Sequence, residues 1–131
     1  MKSLIPYLVF PGNCREVIEF YSEVLKGELT HIQTFGESPI DVPEDFKDRV
    51  FDSELKAENI HLKASDDLPN HPVQLGTNIS MFVMFSDRQE GEEVFNQLAE
   101  GGNVLFPLNQ NFGMLRDKFS VQWLLVIEGE V

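Results

Sequence analysis

The sequence has one cysteine, few basic side chains and no long apolar run. The lone cysteine, Cys14, excludes an intrachain disulfide and a cluster of metal-bound thiolates. Ten lysines and arginines against 22 aspartates and glutamates give a net charge of −12, which repels phosphate backbones and anionic membrane surfaces. No apolar run approaches the roughly 18–20 residues that cross a bilayer, and no signal-peptide pattern follows Lys2. We therefore expect a cytoplasmic protein that binds neither nucleic acid nor membranes.

The first half of the chain predicts one helix and four strands. An apolar run at residues 4–10 is typical of a buried strand. Asn13, with Glu16 three residues later, predicts a helix start, and Gly27 stands where a helix-terminating glycine belongs. Three further strands are predicted at residues 29–35, 50–55 and 58–64. The predicted order is therefore β-α-β-β-β.

The second half repeats that order. Residues 77–85 form another apolar run, Asp87 can cap a second helix, and Gly101 and Gly102 can end it. Strands are predicted at residues 103–108, 114–118 and 121–128. A shift of 75 residues places Phe10 on Phe85, and a shift of 74 places Gly27 on Gly101. Such self-similarity indicates a duplicated unit.

The duplication predicts an α+β fold in which two βαβββ modules form a curved mixed sheet with the helices outside. We expect one domain spanning residues 1–131, in which module 1–66 and module 77–131 are joined by the polar linker 67–76. A chain of this length buries enough surface to need no disulfide or metal for its stability.

Four motifs carry a resemblance to a known family. They are PYLVF before Gly12, FY in the first helix, AEGG at residues 99–102 and DKFSVQW at residues 117–123. Together they resemble the PhnB-like branch of the glyoxalase/bleomycin-resistance/extradiol-dioxygenase superfamily, also called vicinal oxygen chelate. The resemblance implies paired βαβββ modules, a homodimer and a cup-shaped ligand site inside the sheet.

The same resemblance locates four positions at which metal-dependent members hold their ion. Here these positions fall on Pro6, on Asp52 or Glu54, on Asn78 and on Leu124. Proline and leucine offer no donor atom, whereas zinc takes three or four protein ligands and non-haem iron takes two histidines and a carboxylate. The expected protein is therefore metal-free.

A relocated metal site is the alternative. It would need His31 and His61 to face the same side of the sheet as Asp52 or Glu54, while the third histidine, His71, falls in a proline-flanked loop. In that case the protein would be a metal-dependent lyase, isomerase or dioxygenase.

Cys14 is a separate candidate for chemistry, as a nucleophile. It lies in the first turn of the predicted helix beside Arg15. The helix dipole and the neighbouring cation would both lower the pKa of its thiol.

Five residues are candidates for a ligand pocket: Asp52, Glu54, Asn78, Phe112 and Trp123. Strand alternation places Asp52 and Glu54 on one face together with Val50, and the two carboxylates could bind a cation or act as a general base. Phe112 and Trp123, with neighbouring methionines, could hold an apolar or planar ligand. No glycine-rich nucleotide loop follows a strand, although some PhnB-like proteins carry a methyltransferase label. The predicted function is metal-free binding of a small molecule.

Overall fold

A computed structural model of the chain describes residues 1–129, so the last two residues of the predicted second module lie outside the described residues. Within residues 1–129, eight strands and two α-helices follow in order: β1 (Tyr7–Phe10), α1 (Cys14–Leu25), β2 (Glu28–Thr34), β3 (Val50–Ala57), β4 (Ile60–Asp66), β5 (Ser80–Phe85), α2 (Arg88–Ala99), β6 (Asn103–Asn109), β7 (Phe112–Arg116) and β8 (Gln122–Ile127). Two short 3₁₀ turns, Phe35–Glu37 and Glu44–Phe46, lie between β2 and β3. No helix in the described part of the chain is both long and apolar enough to cross a membrane.

The chain divides into two compact units, Met1–Gln74 and Leu75–Val131. The first unit has the strand order β1-β4-β3-β2, and the second has the equivalent order β5-β8-β7-β6. In each unit the first strand pairs parallel to the last, and the remaining pairs are antiparallel. The prediction of duplicated βαβββ modules is therefore confirmed. The prediction that they make one domain stays a prediction.

Each helix covers one face of the sheet of its own unit. In the first unit, the Sγ atom of Cys14 on α1 lies 3.9 Å from the Oγ atom of Ser53 on β3. Ser53 pairs with Ala64 on β4 and Leu55 pairs with Leu62, and all four are buried under α1. We call this side of a sheet its helix-covered face and the other side its open face.

The start of α1 differs from the prediction. Asn13 precedes the helix, but its side chain makes no capping hydrogen bond, and its buried Oδ1 atom has no partner among the described residues. The Oδ1 atom of Asp66 instead accepts from the backbone N–H groups of Gly12 at 3.0 Å and Cys14 at 2.8 Å. A carboxylate at the far end of β4 therefore caps this helix.

The end of α1 also differs in which residue turns the chain. Lys26, with φ of 57°, takes the left-handed conformation that we expected at Gly27. Gly27 is small for another reason: a Cβ atom there would lie 2.9 Å from the Cδ1 atom of Leu55. Packing against β3 therefore explains this glycine better than backbone freedom does.

The second helix follows the prediction closely. The side chain of Asp87 accepts from the backbone N–H of Gln89 at 3.2 Å, and Gly101, with φ of +78°, ends the helix. The next residue, Gly102, packs where a Cβ atom would collide with the backbone of Arg116 and Asp117.

Candidate functional site

The open face of the first unit carries both predicted carboxylates, and a β-bulge just before them resets the alternation of β3. Gln33 on β2 pairs with Asp52, but the next residue, Thr34, pairs with Val50, which leaves Phe51 as an extra residue. A bulge points two successive side chains to similar sides of the sheet. Val50 is therefore buried on the helix-covered face, not beside Asp52 as alternation predicted, and Phe51 turns towards Tyr7 and Val9.

Asp52 is the centre of a polar cluster on this open face. Its Oδ1 atom accepts a hydrogen bond from the Tyr7 hydroxyl at 2.9 Å. Its Oδ2 atom lies 3.1 Å from the Lys63 ammonium and 3.4 Å from the Nε2 atom of His31. Three side chains from three different strands thus point their polar atoms at one carboxylate.

Glu54 forms a second group on the same face. Its carboxylate accepts from the Thr30 hydroxyl at 2.7 Å and lies 2.8 Å from the Nε2 atom of His61. The hydrogen bond from Thr30, and after it the one from His61, lower the pKa of Glu54 to about 2. His61 lies on the opposite side of β4 from the buried Leu62, as strand alternation requires.

An open pocket of about 440 Å³ adjoins the Asp52 cluster through Tyr7. Its wall is mainly apolar, and its lining includes Val9, Phe35, Ile40 and Phe51. A volume of this size lies within the usual range for small-molecule sites, which are mostly apolar with a few placed polar groups.

The segment after β4 completes the pocket, although the sequence indicated only a polar linker there. Leu68, His71 and Val73 line the pocket. Asp67 fastens this segment: its carboxylate accepts from the Arg49 guanidinium at 3.4 Å and from the backbone N–H of Val73 at 3.1 Å. Residues 67–73 therefore form one wall of the pocket.

Cys14 is not placed for chemistry. Its side chain is fully buried under the sheet of the first unit. Burial, and after it the nearby carboxylate of Asp66, raise the pKa of the Cys14 thiol to about 12. The prediction of a lowered pKa is therefore wrong, because the burial of the thiol, together with the charge of Asp66 at the helix start, outweighs the lowering effect of Arg15.

The other predicted site residues lie in the second unit. Asn78 is exposed in the segment before β5. Phe112 lies on the open face of the second sheet, paired with Val126, whereas Trp123 pairs with Leu115 on the helix-covered face and is 1% exposed. Phe112 and Trp123 therefore lie on opposite sides of the same sheet.

Several residues of the first-unit site were not predicted from the sequence. Tyr7 and Lys63 make contacts that join distant strands, and Asp67 holds the segment after β4 in place. The only available signal was alternation: Tyr7 and Val9 share a face of β1, and His61 and Lys63 share a face of β4. The residues that meet in the cluster depend on which strands are neighbours in the sheet, and the spacing of residues along the sequence does not predict the neighbours.

The fold defines a class of protein. Two βαβββ units with one sheet order give the chain the glyoxalase/bleomycin-resistance, or vicinal oxygen chelate, fold, and the predicted PhnB-like resemblance is confirmed. The fosfomycin resistance protein FosX from Listeria monocytogenes shares this fold, with a TM-score of 0.65 and 10% identity over 97% of this chain and 92% of that chain.

More narrowly, the chain belongs to the family described as 3-demethylubiquinone-9 3-methyltransferase, whose model matches residues 2–126. It is similar to protein PA1353 from Pseudomonas aeruginosa, with 37% identity, a TM-score of 0.89 and coverage of 98% of both chains. It is also similar in structure to the PhnB protein from Bacillus cereus, with 24% identity, a TM-score of 0.79 and coverage of 96% of this chain and 99% of that chain.

Proposed function

We propose that this protein binds a small organic molecule in the first-unit pocket without a metal ion. The pocket itself carries the proposal: about 440 Å³ of mainly apolar space, next to a polar cluster centred on Asp52. Predominantly apolar walls with a few convergent polar groups are the usual form of a ligand site.

The residues of the site do not fit a divalent ion. The strongest candidate ligand, Asp52, already contacts the ammonium of Lys63, and a fixed cation there opposes a second one by charge repulsion. Among the described residues, no group of three or more histidine, cysteine, aspartate or glutamate side chains could hold a metal ion. Two of the four positions suggested by the superfamily, Pro6 and Leu124, offer no donor atom.

The methyl transfer named in the family description is not part of this proposal. A nucleotide-like cofactor in a glycine-rich loop would use the free N–H groups at a helix start. At the start of α1, the N–H groups of Gly12 and Cys14 already donate to Asp66. The Arg49 guanidinium also packs against Gly12, whose φ is +110°: a Cβ atom added to Gly12 would lie 3.3 Å from the Cζ atom of Arg49.

Metal analysis of protein purified without chelators tests the metal-free part of this proposal. We expect no stoichiometric Zn, Mn, Ni or Fe and no rise in melting temperature when these ions are added. About one ion per chain would instead favour the metal-dependent lyase, isomerase or dioxygenase, for which the His31–Asp52 and His61–Glu54 pairs are the nearest starting points.

Binding of 2-naphthol, measured by calorimetry, tests the pocket in the same protein. We expect saturable binding of one molecule per chain. Val9→Trp should abolish it, because the indole would fill the space beside Tyr7 and Phe51. Undiminished binding by that variant would show that the probe binds elsewhere.

We also propose that two copies of the chain associate through the open face of the second unit. The apolar patch on this face comprises Phe82, Met84, Phe106 and Phe112, each more than 40% exposed in the single chain. Contiguous exposed apolar surface of this kind usually marks an interaction site. A second copy is the partner that the charges favour: strands β5 to β8 contain no aspartate or glutamate, so two chains of net charge −12 can meet there without opposing carboxylates.

The mass of the protein in solution, measured by light scattering, tests this association. We expect twice the 15.0 kDa of one chain, and we expect Phe106→Glu to give the single-chain mass. The matched control is Leu4→Glu, which places the same charge at a residue 90% exposed and outside the sheets and should leave the dimer intact. A wild-type protein of single-chain mass at micromolar concentrations would contradict the proposal.

A further inference from the structure

Tyr7 joins the pocket to the Asp52 cluster. Its ring lines the pocket beside Val9 and Phe51. Its hydroxyl lies 2.9 Å from the Oδ1 atom of Asp52 and 3.4 Å from the backbone carbonyl oxygen of Phe51. The Tyr7 oxygen is therefore a polar atom that a bound molecule and the cluster would both contact.

The direction of the Tyr7 hydrogen bond follows from its partners. A carboxylate and a carbonyl oxygen can only accept, so the single phenol proton must point at Asp52 and Phe51. Lys63 holds the other carboxylate oxygen with three N–H donors and no acceptor. Burial raises the pKa of Tyr7 to about 12, a side-chain hydrogen bond with Ser65 opposes this rise, and Asp52 adds a smaller raising effect, so the phenol keeps its proton at neutral pH. A phenol oxygen has a second lone pair, which a bound donor can use beside Ser65.

The acidic side chains of the pocket are already used within the protein. Asp66 accepts from three backbone N–H groups, those of Gly12, Cys14 and Val50. Asp67 accepts from Arg49 and from the backbone N–H of Val73. Arg49 balances the charge of Asp67, and the charge of Asp66 leaves a negative surrounding. The polar groups left beside the apolar wall are the Tyr7 and Ser65 oxygens and the imidazole of His71.

We propose that the pocket selects molecules with an apolar body and a hydrogen-bond donor, such as a hydroxyl or amine, because Tyr7 presents its oxygen as an acceptor while its proton is held by Asp52. Anionic molecules are disfavoured, since their oxygens can only accept hydrogen bonds, as the Tyr7 oxygen does, and their negative charge is repelled by the carboxylates beside the pocket. This inference rests on the proposed small-molecule function and adds the class of ligand.

A matched pair of probes tests the selectivity by calorimetry: 2-naphthol, which has a hydroxyl donor, and 2-methoxynaphthalene, which has the same rings and no donor. We expect the wild-type protein to prefer the naphthol by roughly three- to tenfold, as one net hydrogen bond would give. Tyr7→Phe should remove the preference by weakening naphthol binding alone.

Asp52→Asn should reverse the preference, and this is the sharper result. Because Lys63 can only donate, the amide oxygen of an asparagine would face Lys63 and the amide N–H would face Tyr7. The phenol would then accept from that amide. The Phe51 carbonyl oxygen remains as an acceptor, but at 3.4 Å it is distant for an O–H donor, so the phenol proton can turn to the pocket, where the ether oxygen can accept it. Thr30→Val is the matched control: it removes a hydroxyl that contacts Glu54 on the same face and should keep the wild-type preference.

The outcomes separate the two proposals. If neither probe binds to the wild-type protein, the pocket function fails and the selectivity falls with it. If both probes bind equally well, or if Tyr7→Phe retains the naphthol preference in a variant with wild-type circular dichroism, the pocket stands and the selectivity is overturned.

Discussion

Replacement of Asp66 by alanine should lower the free energy of unfolding by about 3–5 kcal/mol, since each buried N–H group that loses its acceptor costs about 1–3 kcal/mol. Asp66 is 3% exposed. Its Oδ1 atom accepts from Gly12 and Cys14, and its Oδ2 atom accepts from the backbone N–H of Val50 at 2.9 Å. One side chain therefore joins the turn after β1, the start of α1 and the start of β3, and alanine would leave all three donors without that acceptor.

The matched control is Asp87→Ala in the second helix. Asp87 is exposed and accepts from one backbone N–H, that of Gln89, so its loss should cost about 1 kcal/mol, as for an ordinary helix cap. Urea unfolding followed by far-ultraviolet circular dichroism measures both variants. Equal effects of the two substitutions would contradict the joining role of Asp66.

The repeat made the fold predictable from the sequence. Helix starts, aromatic positions and terminal glycines coincide between the halves, and both units have the predicted order. The wrong predictions concern positions where a residue distant in the sequence makes the hydrogen bond that was expected from a neighbouring residue. Asn13 stands at the helix start as predicted, yet Asp66 satisfies the backbone there because β4 ends beside it. Sequence separation hides a cap of this kind.

The site was less predictable because it depends on which strands are neighbours. Asp52 and Glu54 were identified, but their partners Lys63 and Thr30 come from β4 and β2. The bulge at Phe51 could not be read from residues 50–55, because a bulge is a property of two strands in register. One extra residue there moves Val50 to the helix-covered face and turns Phe51 into the pocket wall.

Some of the excess acidic residues also stabilise the structure, which the composition alone did not indicate. Most acidic residues lie on exposed loops and helix faces, but Asp66, Asp67 and Asp117 are each less than 10% exposed. Each accepts at least two hydrogen bonds from the protein. Part of the negative charge therefore holds the backbone together, since buried carboxylates are tolerated only when they are bonded.

Trp123→Ala should be the second strongly destabilising change, by about 3–5 kcal/mol, as for other large aromatic side chains removed from a core. Trp123 is 1% exposed on the face that α2 covers, and its indole N–H donates to the Oδ2 atom of Asp117 at 2.9 Å. Ile79→Ala is the matched control: it removes an apolar side chain from the same unit, but from the segment before β5, where Ile79 is 73% exposed, and it should cost about 1 kcal/mol or less. Urea unfolding followed by circular dichroism measures both, because Trp123 is the only tryptophan and its fluorescence is lost in the variant. A cost for Trp123→Ala no greater than that for Ile79→Ala would contradict the role of the Trp123 indole in the core.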